Sequence, residues 1–289
     1  MDGMNLVERS LSGALHWVDR GERPASLIRA MRYAVFPGGA RIRPRLCLAV
    51  ARACGAEASP LAHAAAAAIE LLHCASLVHD DLPCFDDAKT RRGRASVHCA
   101  FSVPVAVLAG DALIVLAFET LARAAVAHPQ RLAPLMLIVA RSVGAPQGIV
   151  AGQAWEQEAK IPLETYQRAK TGALFAAATA AGACAALHDE EHWYGLGERI
   201  GEAYQVADDI RDVVSNEAEL GKPVDQDRAH GRPNVVHQWG LEKSLRHLKE
   251  LVDAGIAEIP PCPGAGELRA HILTEANRLL PRQLARPAA

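Results

Sequence analysis

Apolar residues recur along this chain at the three-to-four-residue spacing of α-helices, and the alternating runs typical of strands are nearly absent. In residues 5–20, for example, apolar side chains at positions 6, 7, 11, 14, 15 and 18 form one helical stripe. The same spacing predicts further helices over residues 25–33, 44–54, 60–78, 104–126, 133–144, 148–158, 163–186, 190–214, 234–255 and 267–280. We therefore expect an all-α protein, a single-domain bundle of about ten or more helices over residues 1–289.

The segment 60–78 is the strongest of these helices, because it is apolar on every side and should lie buried at the centre of the bundle. It leads directly into Asp80, and Pro83 prevents regular helix beyond that point. Several helices are faced with alanine, which permits close packing or, where helices are held apart, a narrow channel. We therefore expect a central apolar cavity. Breaks are predicted at 37–39, in a polar loop at 216–233 and in a linker at 260–264.

Composition narrows the classes of partner and the compartment. Of the 289 residues, 50% are hydrophobic and 4% aromatic, and the net charge of -2 gives no reason to expect nucleic acid or an anionic membrane as a partner. An odd number of cysteines without CxxC spacing, and an N-terminus without an apolar leader, indicate reduced thiols in the cytoplasm. Glu70, His73 and Asp111 interrupt the longest apolar stretches, so we expect no membrane span.

Four aspartates are packed into eight residues directly behind the central apolar segment, and two arginines follow. They are Asp80, Asp81, Asp86 and Asp87, then Arg91 and Arg92. Two unit charges ~4 Å apart repel by roughly 4 kcal/mol at an effective dielectric of ~20, so such a cluster in a cleft requires a neutralising cation. Hard oxygen ligands suit Mg²⁺, which borrows further ligands from substrate phosphates. The alternative is an ordinary solvated acidic loop.

A second acidic cluster, YQVADDIRD, covers residues 204–212. If this segment is helical, Asp208 and Asp212 share a face, and Gln205 precedes them on the same side. Like charges at this spacing destabilise an isolated helix, a cost that a bound metal would recover. A solvated acidic helix is the alternative, but two such clusters, each accompanied by basic residues, favour a shared binding site.

The two clusters carry a family resemblance. HDDLPCFDDAKTRRG, residues 79–93, resembles the first aspartate-rich motif of the trans-isoprenyl diphosphate synthases, and YQVADDIRD resembles the second. The stretches GGARIRP, ELLH, KTG and GKP extend the similarity over residues 25–285. The resemblance implies the isoprenoid synthase fold, a homodimer and Mg²⁺-dependent prenyl transfer with three ions in each active site. Such enzymes ionise an allylic diphosphate, the double bond of isopentenyl diphosphate attacks the cation, and a proton is then lost.

The resemblance also implies a role for each matching residue. By motif position the metal ligands are Asp80, Asp86 and Asp208, supported by Asp81 and Asp212. The allylic diphosphate is held by Arg91, Lys170 and Lys222, while Thr171 and Gln205 offer oxygen dipoles near the cation. Isopentenyl diphosphate is held by Arg41, Arg43, His73 and Arg92, and Arg232, which keeps the charge of a family lysine, also binds substrate. Ala40 replaces another family lysine, so one cation is missing.

The resemblance places control of product length at the channel floor, near Ala75 and Ser76. Ala75 leaves room for a further isoprene unit, and with the two-residue insertion inside the first motif the chain resembles a bacterial C20, or geranylgeranyl, synthase. The stretches GGARIRP and LVHDDLPCFDD are similar to those of the carotenoid-pathway enzymes of purple bacteria. Phe118 is an alternative floor that would stop growth at C15, which would make the enzyme a farnesyl diphosphate synthase. The allylic substrates expected are dimethylallyl, geranyl and farnesyl diphosphate.

Two other classes of function are open at this stage. Ala40 would suit a weakly active subunit that modulates a second synthase, although both acidic motifs are intact. A terpene cyclase also uses aspartate-rich motifs, but Arg91, Arg92 and His73 indicate a second diphosphate substrate, which a cyclase lacks.

Overall fold

The computed structural model describes residues 3–36, 38–56, 59–214 and 234–280, and in these ranges the chain is helical apart from one hairpin. The α-helices are α1 Gly3–Trp17, α2 Ala25–Val35, α3 Ile42–Ala53, α4 Pro60–Asp80, α5 Val97–Ala100, α6 Val103–Ala124, α7 Leu132–Val143, α8 Ile149–Trp155, α9 Leu163–Gln167, α10 Ala173–Ala185, α11 Tyr194–Val214, α12 Val235–Trp239, α13 Leu241–Ala257 and α14 Ala265–Leu279. Short 3₁₀ turns are Ala125–Ala127, Pro129–Arg131 and Glu191–Trp193, and a π-helix is Arg168–Gly172. The hairpin pairs β1 Thr90–Arg91 with β2 Arg94–Ala95 in antiparallel register.

Helix α4 is the central element, as the apolar pattern predicts. It begins with Ser59, whose hydroxyl accepts a hydrogen bond from the Ala62 amide at 3.3 Å, and with Pro60 in the first turn. Its middle is buried on all sides, and it packs against α1, α2, α3, α6, α7, α8 and α10. The helix ends at Asp80, so the whole bundle supports the position of the first acidic cluster.

Two hydrophobic clusters make up the core, and α3 and α10 contribute to both. The first surrounds α4 with α1, α2, α6, α7 and α10, and the second surrounds α11 with α13 and α14. Small residues let these helices approach closely: a Cβ added at Gly182 would lie 2.4 Å from the Cys47 carbonyl oxygen. One added at Gly197 would lie 2.4 Å from the Cα of Ala176, so α10 is held tightly between α3 and α11.

The structure confirms the all-α class and differs from the predicted elements in three places, one of which is the short helix α5 Val97–Ala100, which the apolar spacing does not predict. The hairpin at Thr90–Ala95 is absent from the prediction; its turn needs positive φ angles at Arg92 (54°) and Gly93 (74°). The helix predicted over 234–255 is broken at Gly240, whose φ of 81° is unfavourable for other residues. The predicted loop 216–233 lies outside the described residues.

Two helices are long and apolar enough to cross a membrane by length and composition alone. In α4, 78% of the apolar window is buried inside the bundle, as expected for a core helix. In α6 with its 3₁₀ extension only 39% is buried. Val103, Val107, Leu108 and Val115 form an exposed, mainly apolar face of α6, in which the exposed Asp111 also lies.

Candidate active site

The first acidic wall begins where α4 ends. Asp80 is only 7% exposed, and its Oδ1 accepts a hydrogen bond from the Gln153 amide on α8 at 2.9 Å. The same amide donates to the Ser76 carbonyl at 3.2 Å, so Gln153 ties α8 to the last turns of α4. Burial raises the pKa of Asp80, although the nearby charge of Lys170 and the hydrogen bond from Gln153 act in the opposite direction.

After α4 the chain folds back tightly, so that Asp81 and Asp86 lie close to the C-terminal end of this helix. The Asp86 amide donates to the Asp80 carbonyl at 3.0 Å, and the Asp86 charge is close enough to help raise the pKa of Asp80. Asp81 is buried and forms a two-donor ion pair with Arg91, with Nη2 at 2.5 Å and Nε at 3.0 Å. The wall therefore consists of Asp80 and Asp86, with Asp81 holding the hairpin arginine.

The second acidic wall lies on α11. Asp208 accepts a hydrogen bond from Arg211 at 2.8 Å and is 38% exposed. Asp209 is buried and accepts from the Gln205 amide and from the Val235 backbone amide, both at 2.9 Å, so it anchors the start of α12. Asp212 is 3% exposed, and neither of its carboxylate oxygens has a hydrogen-bond partner in the described part of the chain.

A π-helix, Arg168–Gly172, connects the two walls. Lys170 pairs with Glu156 at 2.7 Å, and its charge also acts on Asp80 of the first wall. The next residue, Thr171, donates its hydroxyl to Gln205 of α11 at 3.0 Å. Single-turn π-helices are rare and are frequent at functional sites. Here the wider turn directs one side chain to each wall.

A basic cluster faces these walls and consists of Arg43 on α3, His73 on α4 and Arg92 in the hairpin turn. Burial lowers the pKa of His73 well below its usual value, and the charges of Arg43 and Arg92 contribute, so His73 is neutral at pH 7. The Arg92 Nε lies 3.1 Å from the place where a Cβ at Gly39 would stand, so glycine there admits the guanidinium. Asp208 and Arg92 both act on Arg43, which places Arg43 between the second wall and the hairpin.

The sequence places Arg41 among the expected diphosphate ligands, whereas the structure places its side chain inside the protein. Its side chain is 0% exposed and forms ion pairs with Glu70 at 2.6 Å and with Glu8 at 2.8 Å. A further donor goes to the Val35 carbonyl at 2.7 Å. Burial opposes the charge, but Glu8 and Glu70 together raise the pKa of Arg41. The donors of Arg41 are thus committed inside the protein, where they fix α1, α2 and α4 to one another.

The residues predicted to control product length lie on α4 and α6. Ala75 is 1% exposed, Ser76 donates its hydroxyl to the His73 carbonyl at 2.9 Å, and Phe118 is partly buried against the first core cluster. An apolar pocket is lined by residues of α3, α10, α11, α13 and α14, including Phe175 and Tyr204, and does not touch Ala75. The alanine-lined channel beneath the acidic motifs stays a prediction. Lys222 and Arg232 lie outside the described residues.

Several residues that sequence reasoning missed complete the site. Gln153 orients Asp80, Glu156 pairs with Lys170, and Tyr166 donates its hydroxyl to Glu156 at 2.6 Å. Glu70, known only as part of a motif, is 2% exposed and lies 4.0 Å from Arg92 as well as against Arg41. A polar residue in an apolar helix was the available signal for Glu70 and for Gln153.

Mg²⁺ requires oxygen ligands, and the two walls supply part of such a set. No three His, Cys, Asp or Glu side chains in the described ranges are grouped so that they could hold a metal ion by themselves. The walls do offer carboxylate oxygens, the ligand type that Mg²⁺ prefers, and the buried oxygens of Asp212 have no hydrogen-bond partner within the ranges that the structure describes. A buried carboxylate without a partner is costly unless a cation compensates it. The walls therefore fit ions whose remaining ligands come from a bound phosphate or from water.

Comparison with known proteins identifies the family of the chain. The family model described as polyprenyl synthetase matches residues 24–259, so the chain belongs to the polyprenyl synthetase family, a family of prenyltransferases. A geranylgeranyl diphosphate synthase of Cereibacter sphaeroides is 52% identical over 96% of this chain and 97% of its own. Another, from Rhodobacter capsulatus, is 47% identical over 95% of both chains.

Solved structures agree as well. The crystal structure of a Helicobacter pylori geranyltransferase complexed with magnesium and isoprenyl diphosphate superposes with a TM-score of 0.76 at 27% identity. The match covers 96% of this chain and 98% of the other. The comparisons confirm the resemblance that the two aspartate-rich motifs indicated, and they confirm the isoprenoid synthase fold.

Proposed function

We propose that this chain is a Mg²⁺-dependent synthase that condenses isopentenyl diphosphate with dimethylallyl, geranyl and farnesyl diphosphates to form geranylgeranyl diphosphate. The observation that carries the proposal is the pair of acidic walls joined by Lys170 and Thr171 and faced by a separate basic cluster. One diphosphate site with metal ligands and one with cations alone suit two different substrates. The names of the Cereibacter sphaeroides and Rhodobacter capsulatus relatives support the C20 product.

The acidic walls would hold the metal ions and the head of the allylic substrate. Asp80 and Asp86 provide ligands from one side and Asp208 from the other, and Asp81 and Asp212 support them. When bound, Mg²⁺, with three ions expected from the family, would neutralise the diphosphate and stabilise the charge that develops as it leaves. Because the walls lie at the ends of a bundle of apolar helices, the hydrocarbon tail would point along α4 and α6.

Side chains of the protein would hold the diphosphate and stabilise the cation during ionisation and condensation. Lys170 and Arg91, with Lys222 from outside the described residues, would hold the allylic diphosphate as the C–O bond breaks. The Thr171 hydroxyl oxygen and the Gln205 carbonyl oxygen lie 3.0 Å apart and would direct oxygen dipoles at the allylic cation. The π bond of isopentenyl diphosphate attacks that cation, a new C–C bond forms, and a proton is lost to restore the double bond.

The basic cluster would bind isopentenyl diphosphate. Arg43 and Arg92 supply the positive charge, and the neutral His73 can donate one hydrogen bond from its ring. Ala40 supplies no cation, and Arg41 cannot replace it because its guanidinium is buried in ion pairs. The homoallylic site therefore depends on fewer charges than the motif of the family suggests. Arg232 remains a proposed substrate-binding residue that is assigned to neither diphosphate.

Product length is the property that most needs a test. We expect Ala75→Phe to shorten the product from C20 to C15, because a ring there would fill the space needed by the fourth isoprene unit. Products formed from isopentenyl and geranyl diphosphates with Mg²⁺ are dephosphorylated and measured by gas chromatography. Ser76→Ala, on the neighbouring position, is the matched control for a change in α4 that adds no bulk.

Three outcomes of this assay have distinct meanings. A C15 main product from the unmodified chain would make it a farnesyl diphosphate synthase, with Phe118 as the floor. Unchanged C20 from Ala75→Phe would place the floor elsewhere. No turnover of the isolated chain would favour the modulating subunit, for which Ala40 is the supporting observation.

We also propose a homodimer with one domain per chain, located in the cytoplasm. The apolar face of α6, in which Leu108 is 55% and Val115 66% exposed, is the surface that a second copy would cover. All seven cysteines are free thiols, as suits a reducing compartment. Leu108→Glu with Val115→Glu should halve the mass in analytical ultracentrifugation, whereas Val126→Glu, at an exposed position beyond α6, should leave it unchanged.

A further inference from the structure

Two aromatic rings lie against the basic cluster. The guanidinium of Arg43 is 4.4 Å from the ring centre of Phe175 and 5.6 Å from that of Tyr204. The two rings are 5.2 Å apart and tilted by 40°. Tyr204 also lies 5.6 Å from the guanidinium of Arg211, which pairs with Asp208. One ring therefore contacts a cation of the homoallylic site and a cation of the second acidic wall.

Arg43 is held differently from Arg41, two residues earlier. Within the residues that the structure describes, Arg43 makes no ion pair, and its buried Nε has no hydrogen-bond partner. Stacking on an aromatic face is the contact that orients a guanidinium while leaving its donors free for a ligand. A side chain fixed in this way loses less conformational freedom when the ligand arrives.

We propose that Tyr204, together with Phe175, is a positioning residue that orients Arg43 for the diphosphate of the homoallylic substrate and links that subsite to Asp208 through Arg211. The inference rests on the proposed function and adds to it. The need for such a support follows from the sequence, because Ala40 supplies no cation and Arg41 is committed to Glu8 and Glu70. The orientation of Arg43 then has a large effect on affinity.

The test compares Tyr204→Leu, which removes the ring, with Tyr204→Phe, which keeps it. Tyr204 is partly buried, so the leucine variant should fold, and circular dichroism checks this. We expect Tyr204→Leu to raise KM for isopentenyl diphosphate about tenfold and KM for the allylic substrate about threefold, with kcat within about threefold. Tyr204→Phe should restore both KM values to within about twofold of the unmodified enzyme.

A double-mutant cycle connects the effect to Arg43. In an Arg43→Met background, Tyr204→Leu should change KM for isopentenyl diphosphate by no more than about twofold, because the ring has no cation left to orient. A tenfold effect in that background would overturn the inference. So would an unchanged KM in Tyr204→Leu alone, or an equal loss in Tyr204→Phe, which would assign the effect to the hydroxyl.

Two further measurements keep the result interpretable. If Tyr204→Leu does not fold, Tyr204→Met removes the ring with a flexible side chain and takes its place in the same comparison. Calorimetric titration with isopentenyl diphosphate distinguishes a failure of the proposed function from a failure of the role proposed for Tyr204. Failure of the unmodified enzyme to bind it overturns the proposed function, whereas unchanged binding by the leucine or methionine variant overturns only the role of Tyr204.

Discussion

The two acidic walls are built in different ways. The first lies at the end of α4 and in a folded-back loop, where Asp80 is held by Gln153 and Asp81 by Arg91. The second lies in the last two turns of α11, where one carboxylate, that of Asp212, is buried with no hydrogen-bond partner among the described residues. The carboxylates of the first wall are thus compensated by side chains of the protein, whereas that of Asp212 in the second wall has no such contact among the described residues.

This difference indicates where free energy is stored for binding. Asp208 and Asp212 are four residues apart on one helix, where like charges destabilise, and burial of Asp212 adds a desolvation cost. A metal bound there would recover both costs. The first wall has already compensated much of its charge, so its ligands are oriented before any ion arrives. Metal binding should therefore stabilise the second wall more than the first.

The largest expected effect comes from removing one ligand from each wall. Asp80→Ala or Asp208→Ala should lower turnover about a thousandfold, because metal stabilisation of a leaving diphosphate is worth several kcal/mol. The rate of product formation from radiolabelled isopentenyl diphosphate measures the loss, and circular dichroism shows that the fold is kept. Asp87→Ala is the matched control, since Asp87 is half-exposed and pairs with Lys89 on the surface. Rates close to the unmodified enzyme in Asp80→Ala would contradict the metal assignment.

A second pair of variants should change stability in opposite directions. Without metal, Asp212→Asn should raise the midpoint of thermal unfolding, because it removes a buried charge that has no hydrogen-bond partner in the described part of the chain. Asp81→Asn should lower the midpoint, because Arg91 then keeps its charge beside a neutral group, at a cost of about 1–3 kcal/mol.

Differential scanning calorimetry with and without Mg²⁺ and an unreactive diphosphate measures both variants. The added stability from these ligands should fall sharply in Asp212→Asn and should persist in Asp81→Asn. Activity of Asp212→Asn is expected to fall about 10- to 100-fold, as for the loss of a supporting group at a metal site. Equal shifts of the same sign would mean that the two walls do not differ as described.

The sequence predicted the helices well because their signal is local. Neighbouring residues are enough to show the apolar spacing of a helix, a glycine just after its end and a proline in its first turn. Pro60 at the start of α4 is an example of such a proline. The hairpin at Thr90–Ala95 was missed because two-residue strands have no periodicity and Arg92 takes a positive φ angle without being glycine. The break at Gly240 was missed because the apolar stripe continues on both sides.

The candidate site divides in the same way. The aspartate motifs were found because their members are neighbours in sequence, whereas roles set by distant partners were not. Arg41 owes its structural role to Glu8 and Glu70, which are 33 and 29 residues away. Gln153 reaches Asp80 across 73 residues. Spacing shows which side chains could act together, and only tertiary packing shows which of them are already occupied.

The smallest expected effect is on the pH dependence of stability, and it comes from His73 in the basic cluster beside the acidic walls. Burial and the adjacent arginines lower the pKa of His73 in the folded protein, which favours the neutral ring. In the unfolded chain His73 has its usual pKa of 6.5, so its ring becomes protonated once the pH falls below that value. The unfolded state then binds more protons, so this contribution to stability is present above pH 6.5 and is lost as the pH falls below it. The loss amounts to at most about 1.4 kcal/mol per pH unit.

Urea unfolding of the unmodified enzyme and of His73→Asn at pH 7.5 and 5.5 measures this loss. The asparagine variant should lose less stability than the unmodified enzyme between these two pH values. Identical losses would mean that His73 is protonated in the folded state, and the cluster would then carry a third positive charge for the diphosphate.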